Sequence, residues 1–547
     1  MTNSRIKSAL LCALTGLAFA GCVAIDSGLG GSMVPIDHTY KVSTPDPISI
    51  PVDMKMPDSL SAYSTSRITI GAIRDADFGL TTRACCLTLV PIFGEEGLDF
   101  GTAPEFRQFH FSAIPDTVSV ADKSQISILQ NVRVYELSQK LGKLTFCDSP
   151  APHGTVSIAA STPILDGADS LSFNFTKAYG EKYMTITADD VKNMDTYLDK
   201  FPGIYITTDE PAGNGGRINI FQLQLGYDSS YGYLTGSYAE LKFRSKWEGD
   251  TEPRDTSFFF YFSATKFADA DSLFSNTGTG SFPQKCANLT GHGTSAQQGP
   301  AAATVKVEGG GGLKPLISAA MLRTSVRNAI TAAGDNPDKA VINRATLTFR
   351  YDAPDSDFDN LDWLPQILSP TCRISQNDTV RFMGLTDASD SNEDQGDVHY
   401  YPRESYSPNI TYHIQQLIRL ADDNADLLAG NYDIWLLPMH YDQTTTTTSG
   451  NSEISDYYNY LAYQSYYNNM YGGYGGYGYG GYGYDSYSNY YNYSLMAQYY
   501  GSSSTTTSTS ANLDRDRYYK AMLAGPSATD ATRRPTLTFT YSVPNEE

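Results

Sequence analysis

Ile218-Asn219-Ile220-Phe221-Gln222-Leu223-Gln224-Leu225 alternates apolar and polar side chains with one break at Phe221, and that period of two decides the fold class. In a strand successive side chains point to opposite faces, so such a run lays its apolar groups on one side. The pattern recurs in Val132-Arg133-Val134-Tyr135-Glu136-Leu137, Leu171-Ser172-Phe173-Asn174-Phe175 and Tyr238-Ala239-Glu240-Leu241-Lys242-Phe243. It returns in Thr346-Leu347-Thr348-Phe349-Arg350-Tyr351 and Leu537-Thr538-Phe539-Thr540-Tyr541. Each reads as a half-buried antiparallel strand. Many such strands with few helices between them predict a mainly β protein. The expected architecture is two antiparallel, jelly-roll-like β-sandwich domains with a few short helices, not a βαβ fold.

Three segments carry helix signals instead. Thr187-Ala188-Asp189-Asp190 is an acidic capping box opening a helix from about Ala188 to Phe201, stopped by Pro202-Gly203. A second is expected from about Pro315 to Ala333, ended by Gly334, and a third from His413 to Leu428.

The composition then changes. From Gln443 to Asn512 come five consecutive threonines, a Tyr/Gly tract and a Ser/Thr run. Tyr457 to Tyr500 holds 18 of the 40 tyrosines within 44 residues. Glycine loses the most backbone freedom on ordering, and nothing here repeats at a period that would bury a face, so a disordered insertion is expected. The strand Leu537–Tyr541 follows it, so the tract interrupts a domain. The expected division is a signal peptide over 1–21, a tether over 22–60, sandwiches over 61–246 and 247–442, the insertion over 443–512, and a completing strand within 513–547.

At the amino end, Arg5 and Lys7 precede an apolar stretch from Ala9 to Ala20 and then Gly21-Cys22. A charged start, a short apolar stretch and small residues make a secretory signal too short to span a bilayer. Leu17-Ala18-Phe19-Ala20-Gly21-Cys22 resembles a bacterial lipobox, which implies cleavage before Cys22 and lipid (palmitate among it) on that residue; Phe19 departs from the usual aliphatic. Several acyl chains together anchor a protein stably where one would not.

The formal charge of −21 argues against nucleic acid, whose phosphates require Lys/Arg clusters, and removal of a signal with two cations and no acid leaves −23. Beyond Cys22 the folded part holds Cys85, Cys86, Cys147, Cys286 and Cys372. That odd, irregular set is neither a disulfide framework nor a zinc site, and most are expected as buried thiols, though Cys85 or Cys86 could pair with others.

The order of motifs carries a resemblance. After the lipobox come Val134-Tyr135-Glu136-Leu137, Phe175 to Lys182 with Tyr179-Gly180, and Phe201-Pro202-Gly203-Ile204-Tyr205-Ile206. Val307 to Lys314, Val341 to Leu347, Asn409 to Leu417 and the strand through Trp435 follow. The series resembles a family of large Bacteroidota outer-membrane lipoproteins known only as a domain of unknown function, over about residues 10–442 and the last strand. It implies a lipid-anchored outer-membrane protein that faces the cell surface, with no assigned activity. A looser likeness, strand plus helix plus strand, is to jelly-roll carbohydrate-binding modules, at the level of fold alone.

Catalytic patterns are scarce. The seven histidines, at 38, 110, 153, 292, 399, 413 and 440, form no HExxH, and there is no GxSxG elbow. Gly309-Gly310-Gly311-Gly312-Leu313-Lys314-Pro315 lacks the Lys-Ser/Thr that ends a phosphate loop and reads as a flexible turn. Asp352 to Asp362 is an acidic loop. Asp387 to Asp397 imitates a calcium loop, but Gln395 replaces the needed Gly and Tyr401 the closing Glu. Neither is expected to hold metal, and no cofactor is implied. Asp58-Ser59-Leu60, Asp116-Thr117-Val118, Asp169-Ser170-Leu171, Asp271-Ser272-Leu273 and Asp378-Thr379-Val380 resemble the O-glycosylation sequon of exported Bacteroidota proteins.

These features predict a non-enzymatic surface lipoprotein that binds glycan, a host surface or an outer-membrane β-barrel complex. A self-associating adhesive built on the Tyr/Gly tract is the alternative, and a carboxylate-based glycosidase the third reading.

Overall fold

The opening stretch becomes the strand Gly215–Gln222, which lies between Arg67–Asp75 and Pro115–Val120. It is buried on both faces, not one: Phe221 enters the main core while Ile218 and Ile220 pack with Ile73 and Tyr518 on the far side. This is a computed structural model, and it describes residues 39–545 except 59, 65, 93–97, 143–144, 224, 229–232, 263–285, 353–363, 377–378, 388–404 and 448–504. Among the described residues every strand pairing is antiparallel, and the protein is mainly β.

A nine-stranded sheet runs His153–Ser157, Gln130–Leu137, Ile204–Thr208, Gly79–Leu87, Arg67–Asp75, Gly215–Gln222 and Pro115–Val120. Ile164–Leu165 adds to the 130–137 strand and Cys286–His292 to the 79–87 strand. A five-stranded sheet runs Leu171–Asn174, Thr102–Ala113, Tyr238–Lys246, Arg254–Tyr261 and Val90–Ile92. Ile70, Leu87, Val134 and Ile206 of the first sheet meet Phe109, Phe173, Leu241 and Phe260 of the second in one core, the arrangement of a sandwich. Phe109 sits among Phe175, Tyr183 and Phe260 with ring centroids 4.6, 5.2 and 5.3 Å away. Aromatic pairs in such tilted arrays add to the gain from area burial alone.

A second core joins two further sheets. One runs Gly299–Pro300, Asp53–Lys55, Lys314–Ile317, Ile434–Thr447, Ile367–Gln376 and Thr379–Gly384. The other runs Tyr40–Ser43, Thr536–Pro544, Val341–Arg350 and Ser405–Tyr406. Leu436 and Leu368 of the former share this core with Leu537, Phe539 and Leu347 of the latter. The opening strand pairs with the closing one, Tyr40 opposite Pro544 and Ser43 opposite Tyr541.

The helices differ in detail from expectation. The capping box forms, with Thr187 N–H donating to Asp190 Oδ2 at 2.9 Å, but it opens a 3₁₀ turn, and the α-helix begins afresh at Met194–Lys200. Pro315 lies in a strand, so the second helix is Ala319–Ala332, capped by Ser318. The third splits into Thr411–Arg419 and Ala425–Leu428. Lys177–Tyr183 is a helix that was not expected. Gly180 at its centre lowers helix propensity, yet a Cβ there would run into the Phe106 ring.

The ends of the low-complexity tract also differ. Thr447 lies opposite Thr505 and Met439 opposite Leu513, so residues 443–447 and 505–512 are a two-stranded ribbon where a disordered insertion was expected. The Tyr/Gly tract proper lies outside the described residues. Beyond the ribbon, the segment 514–520 lies against the outer face of the nine-stranded sheet. Arg515 donates to the Tyr63 carbonyl at 3.2 Å and Lys520 to Asp75 Oδ2 at 2.8 Å.

Candidate binding face

The five-stranded sheet turns Phe109, Phe111, Leu241 and Phe260 inward, so the alternate residues form its outer face. Register aligns them into rows. Asn174 stands opposite His110, His110 opposite Glu240, Glu240 opposite Phe259, and Phe259 opposite Ile92. On one side of that row lie Ser172, Ser112 and Tyr238, and on the other Gln108, Lys242 and Ser257. Five strands thus build a polar platform with an aromatic end, where the Tyr238 and Phe259 rings meet edge to face, centroids 5.8 Å apart at 71°.

Its side chains are held in a network. Gln108 Nε2 donates to Asn174 Oδ1 at 2.8 Å, and His110 Nδ1 lies 3.0 Å from the same oxygen. An amide oxygen only accepts, so Nδ1 carries a proton there, and Ser172 Oγ lies 3.2 Å from Nε2. Ser257 donates to Glu240 Oε1 at 2.8 Å, and Lys242 Nζ lies 3.2 Å from Oε2. The network fixes rotamers in advance, which reduces what a ligand must order. A register shift between Gln108 and Phe106 lets the strand bend, and beside it opens a cleft of about 360 Å³ lined by Arg107, Gln108, Asn174 and Lys242 over Phe106 and Phe109. Amides, a carboxylate, an ammonium and hydroxyls beside flat rings are the groups that hydrogen-bond sugar hydroxyls and stack on sugar faces.

A second aromatic group stands on the outer face of the nine-stranded sheet. The exposed His153 ring stacks on Tyr205 at 4.3 Å and 6°, and on Tyr135 at 4.9 Å and 18°.

The residues singled out in the sequence fall elsewhere. Cys22 lies outside the described residues. So do Asp355, Asp357, Asp359 and Asp362 of the first acidic patch, and every acid of the second except Asp387. Asp352 accepts from Thr304 Oγ1 at 2.8 Å. Asp387 accepts from the Tyr412 and His413 N–H groups at 2.8 and 2.9 Å, so it caps the 411–419 helix. Cys85, Cys86, Cys147, Cys286 and Cys372 are all buried free thiols, and burial pushes Cys86 and Cys372 up to about 12. His413 is buried and neutral, burial holding it down to about 4, with Nε2 3.0 Å from the Tyr432 carbonyl. Among the described residues no three His, Cys, Asp or Glu side chains converge to hold a metal, and no helix is long and apolar enough to cross a membrane. Of the five Asp-Ser/Thr triplets, Ser170 is exposed just before a strand, whereas Thr117 lies mid-strand opposite Ile220. The platform itself went unread. Its residues occupy the polar positions of period-two strands, the places where solvent-facing filler is the default.

No protein-family model, curated protein or solved structure matches the chain.

Proposed function

We propose that this chain is a non-enzymatic lipoprotein, anchored to the outer membrane through lipid on Cys22, that binds glycan at the cell surface with the outer face of its five-stranded sheet. The observation that carries the reading is the pre-ordered row Asn174–His110–Glu240 ending on the Tyr238–Phe259 pair. The lipobox supports the anchor, and the acidic composition supports a neutral or cationic ligand over an anionic polymer.

The full mature chain should bind a subset of immobilised polysaccharides. Asn174→Ala and Tyr238→Ala should each weaken that binding by about tenfold, the loss of one good hydrogen bond or stacking contact, with the unfolding midpoint held. Unchanged affinity in both would place the site elsewhere. The adhesive alternative is separated by replacing residues 448–504 with a short Gly/Ser linker. Glycan binding then persists on the present reading, while loss of self-association without loss of glycan binding would give the tract its own role.

The exposed triplet serine supports surface export in a second way. Glycopeptide mass spectrometry of the native protein should find sugar on Ser170 and none on Thr117, whose strand pairing denies a transferase access. Modified Thr117 beside bare Ser170 would count against it.

A further inference from the structure

The cleft beside the platform reverses the charge balance of the chain. Asp and Glu number 60 against 39 Lys and Arg. Yet the cleft is lined by Arg107, Lys242, Gln108, Asn174 and aromatic rings, with no carboxylate among the described residues. Arg107 owes its place there to a bulge. Lys242 stands opposite Gln108 and Phe243 opposite Phe106, so Arg107 is the extra residue, without a partner across that ladder. A bulged residue is aimed differently from its strand neighbours. A second break lies close by: Arg244 stands opposite Glu105 and Lys246 opposite Thr102, which sets Ala103 and Pro104 against Ser245 alone. Ala103 has φ +50°, the one positive φ outside glycine among the described residues. That region is disfavoured for a residue with a Cβ, and such outliers gather at binding sites.

The polar wall offers mostly donors. Asn174 Oδ1 is engaged by Gln108 and His110, while Asn174 Nδ2 makes no hydrogen bond among the described residues. Arg107 Nη2 lies 3.0 Å from Glu105 Oε2, and its Nε and Nη1 make no hydrogen bond among the described residues. Lys242 Nζ lies 3.2 Å from Glu240 Oε2. Neither acid lines the cleft, and both cations are about half exposed. Exposed ion pairs of this kind hold weakly, so each cation keeps donors to offer a ligand. Gln108 Oε1 is the side-chain acceptor left over on this wall. The floor is fixed. The Phe106 ring fills the space that a Cβ on Gly180 would take, and the Phe109 and Phe175 ring centroids stand 4.6 Å apart.

A guanidinium fork, an ammonium and an amide N–H around one cleft match a carboxylate, which accepts two parallel N–H bonds from an Arg. At about 360 Å³ the cleft is at the small end of ligand pockets and seats a sugar unit, not a stretch of polymer. The net charge of the chain opposes a polyanion. It does not oppose a lone carboxylate seated here, because charges beyond a Debye length of about 8–10 Å are screened and the two cations are in contact range.

We propose that this cleft is the subsite for one acidic sugar of the uronate class within an otherwise neutral glycan. The sugar carboxylate accepts from the Arg107 guanidinium, the Lys242 ammonium and Asn174 Nδ2. A sugar hydroxyl donates to Gln108 Oε1, and the ring lies on Phe106. Neutral units of the same glycan then continue along the platform toward Tyr238 and Phe259. The inference rests on the glycan-binding reading above and adds an acid requirement to it.

The test is binding of the full mature chain to glucuronoxylan, gum arabic and xanthan, each beside its carboxyl-reduced form, with arabinoxylan and a β-glucan as neutral polymers. At least one acidic polymer should bind, and reducing its carboxyls to alcohols should weaken that binding about tenfold, the loss of a charge-assisted hydrogen bond. Salt should narrow the difference between the two forms. Arg107→Gln replaces a half-exposed side chain, so the variant should fold with the wild-type midpoint, and the ratio of the two affinities should fall to about one. Arg107→Lys should retain part of the ratio, since it keeps the charge and loses the fork. Binding to neutral polymers only, affinity indifferent to carboxyl reduction, or a ratio that survives Arg107→Gln would each overturn the acid subsite and leave the glycan reading standing. Binding to no polymer, acidic or neutral, would overturn both.

Discussion

Arg217→Ala is expected to lower the unfolding free energy by about 3–5 kcal/mol, because it strands two buried acceptors at roughly 1–3 kcal/mol each and frees two part-buried carbonyls. Arg217 has no exposed surface and is a polar residue in the strand Gly215–Gln222. Its Nη1 donates to the carbonyls of Ile126 and Ile128, the latter at 2.8 Å, Nη2 to the Leu165 carbonyl at 3.0 Å, and Nε to Asn219 Oδ1 at 2.7 Å. Asn219 in turn donates to Gln130 Oε1 at 2.9 Å, and Gln130 to the Arg217 carbonyl at 2.9 Å. The guanidinium thus holds two chain crossings, 126–128 and 164–165, against the sheet. Gly167, at φ +97°, makes the passage possible, since a Cβ there would meet the Ile126 carbonyl and stand 2.9 Å from Arg217 Nη1. Denaturant unfolding should show a lower midpoint with unchanged slope, and Arg217→Lys should fall between, because an ammonium cannot span three carbonyls in a plane. A midpoint within experimental scatter of wild type would remove Arg217 from this role.

The second large effect is acid lability. Burial lowers both His292 and His413 to about 4, against an ordinary 6.5, so each is neutral in the fold. Between those values the unfolded chain binds the more protons. Stability is therefore full above pH 6.5 and is lost as pH falls toward 4, by about 3 kcal/mol for each histidine. Asp516 opposes in part. Burial, then Asp514, pushes it up to about 6 from 3.8, so over that window the folded chain binds its proton and acid favours the fold. Two histidines against one carboxyl leave a net uptake of about one proton on unfolding near pH 5. Below 3.8 Asp514, whose burial is outweighed by Arg517 and Tyr519 so that it sits at about 2, adds a further loss. At the other end Lys314, pushed down to about 7 chiefly by burial, makes stability rise from pH 7 toward 10.5. Stability measured from pH 7 to 4 should fall, and His413→Gln, which keeps a donor for the Tyr432 carbonyl, should flatten that fall by about one proton. An unaltered slope in the variant would mean that His413 does not titrate as its surroundings require.

Much of the fold is legible because the strands advertise themselves. Tyr238 to Phe243 carries a clean period of two with Ala239, Leu241 and Phe243 inward, whereas in Val132 to Leu137 the two valines enter the main core and Leu137 joins a separate cluster with Cys86 and Ala287. The run from Ile218 misleads about faces, since Arg217 and Asn219 are as buried as the isoleucines, and only the tertiary cover from Tyr518 and the 126–128 crossing makes that so. Pro315 resembles a first helical residue, yet the 434–447 strand claims the residues beside it, Leu316 opposite Trp435. The Thr and Ser runs at 443–447 and 505–512 have strand propensity, which the neighbouring glycines obscured. The platform row joins residues from remote strands. Linear spacing carries no trace of it, because register alone brings them together.

The pairing of Tyr40–Ser43 with Thr536–Pro544 sets an order of events during biogenesis. Synthesis proceeds from the amino end, so the opening strand must wait, unpaired, until the nine-residue strand Thr536–Pro544 has emerged. Among the described residues the first core draws on residues 68–286, and it can condense while the remainder is still being synthesised. Closing the second sheet over nearly the whole chain length is a slow, high-contact-order step. The second sheet is therefore the later of the two to close, and until it does its unpaired strand edges are the surface most open to misassembly.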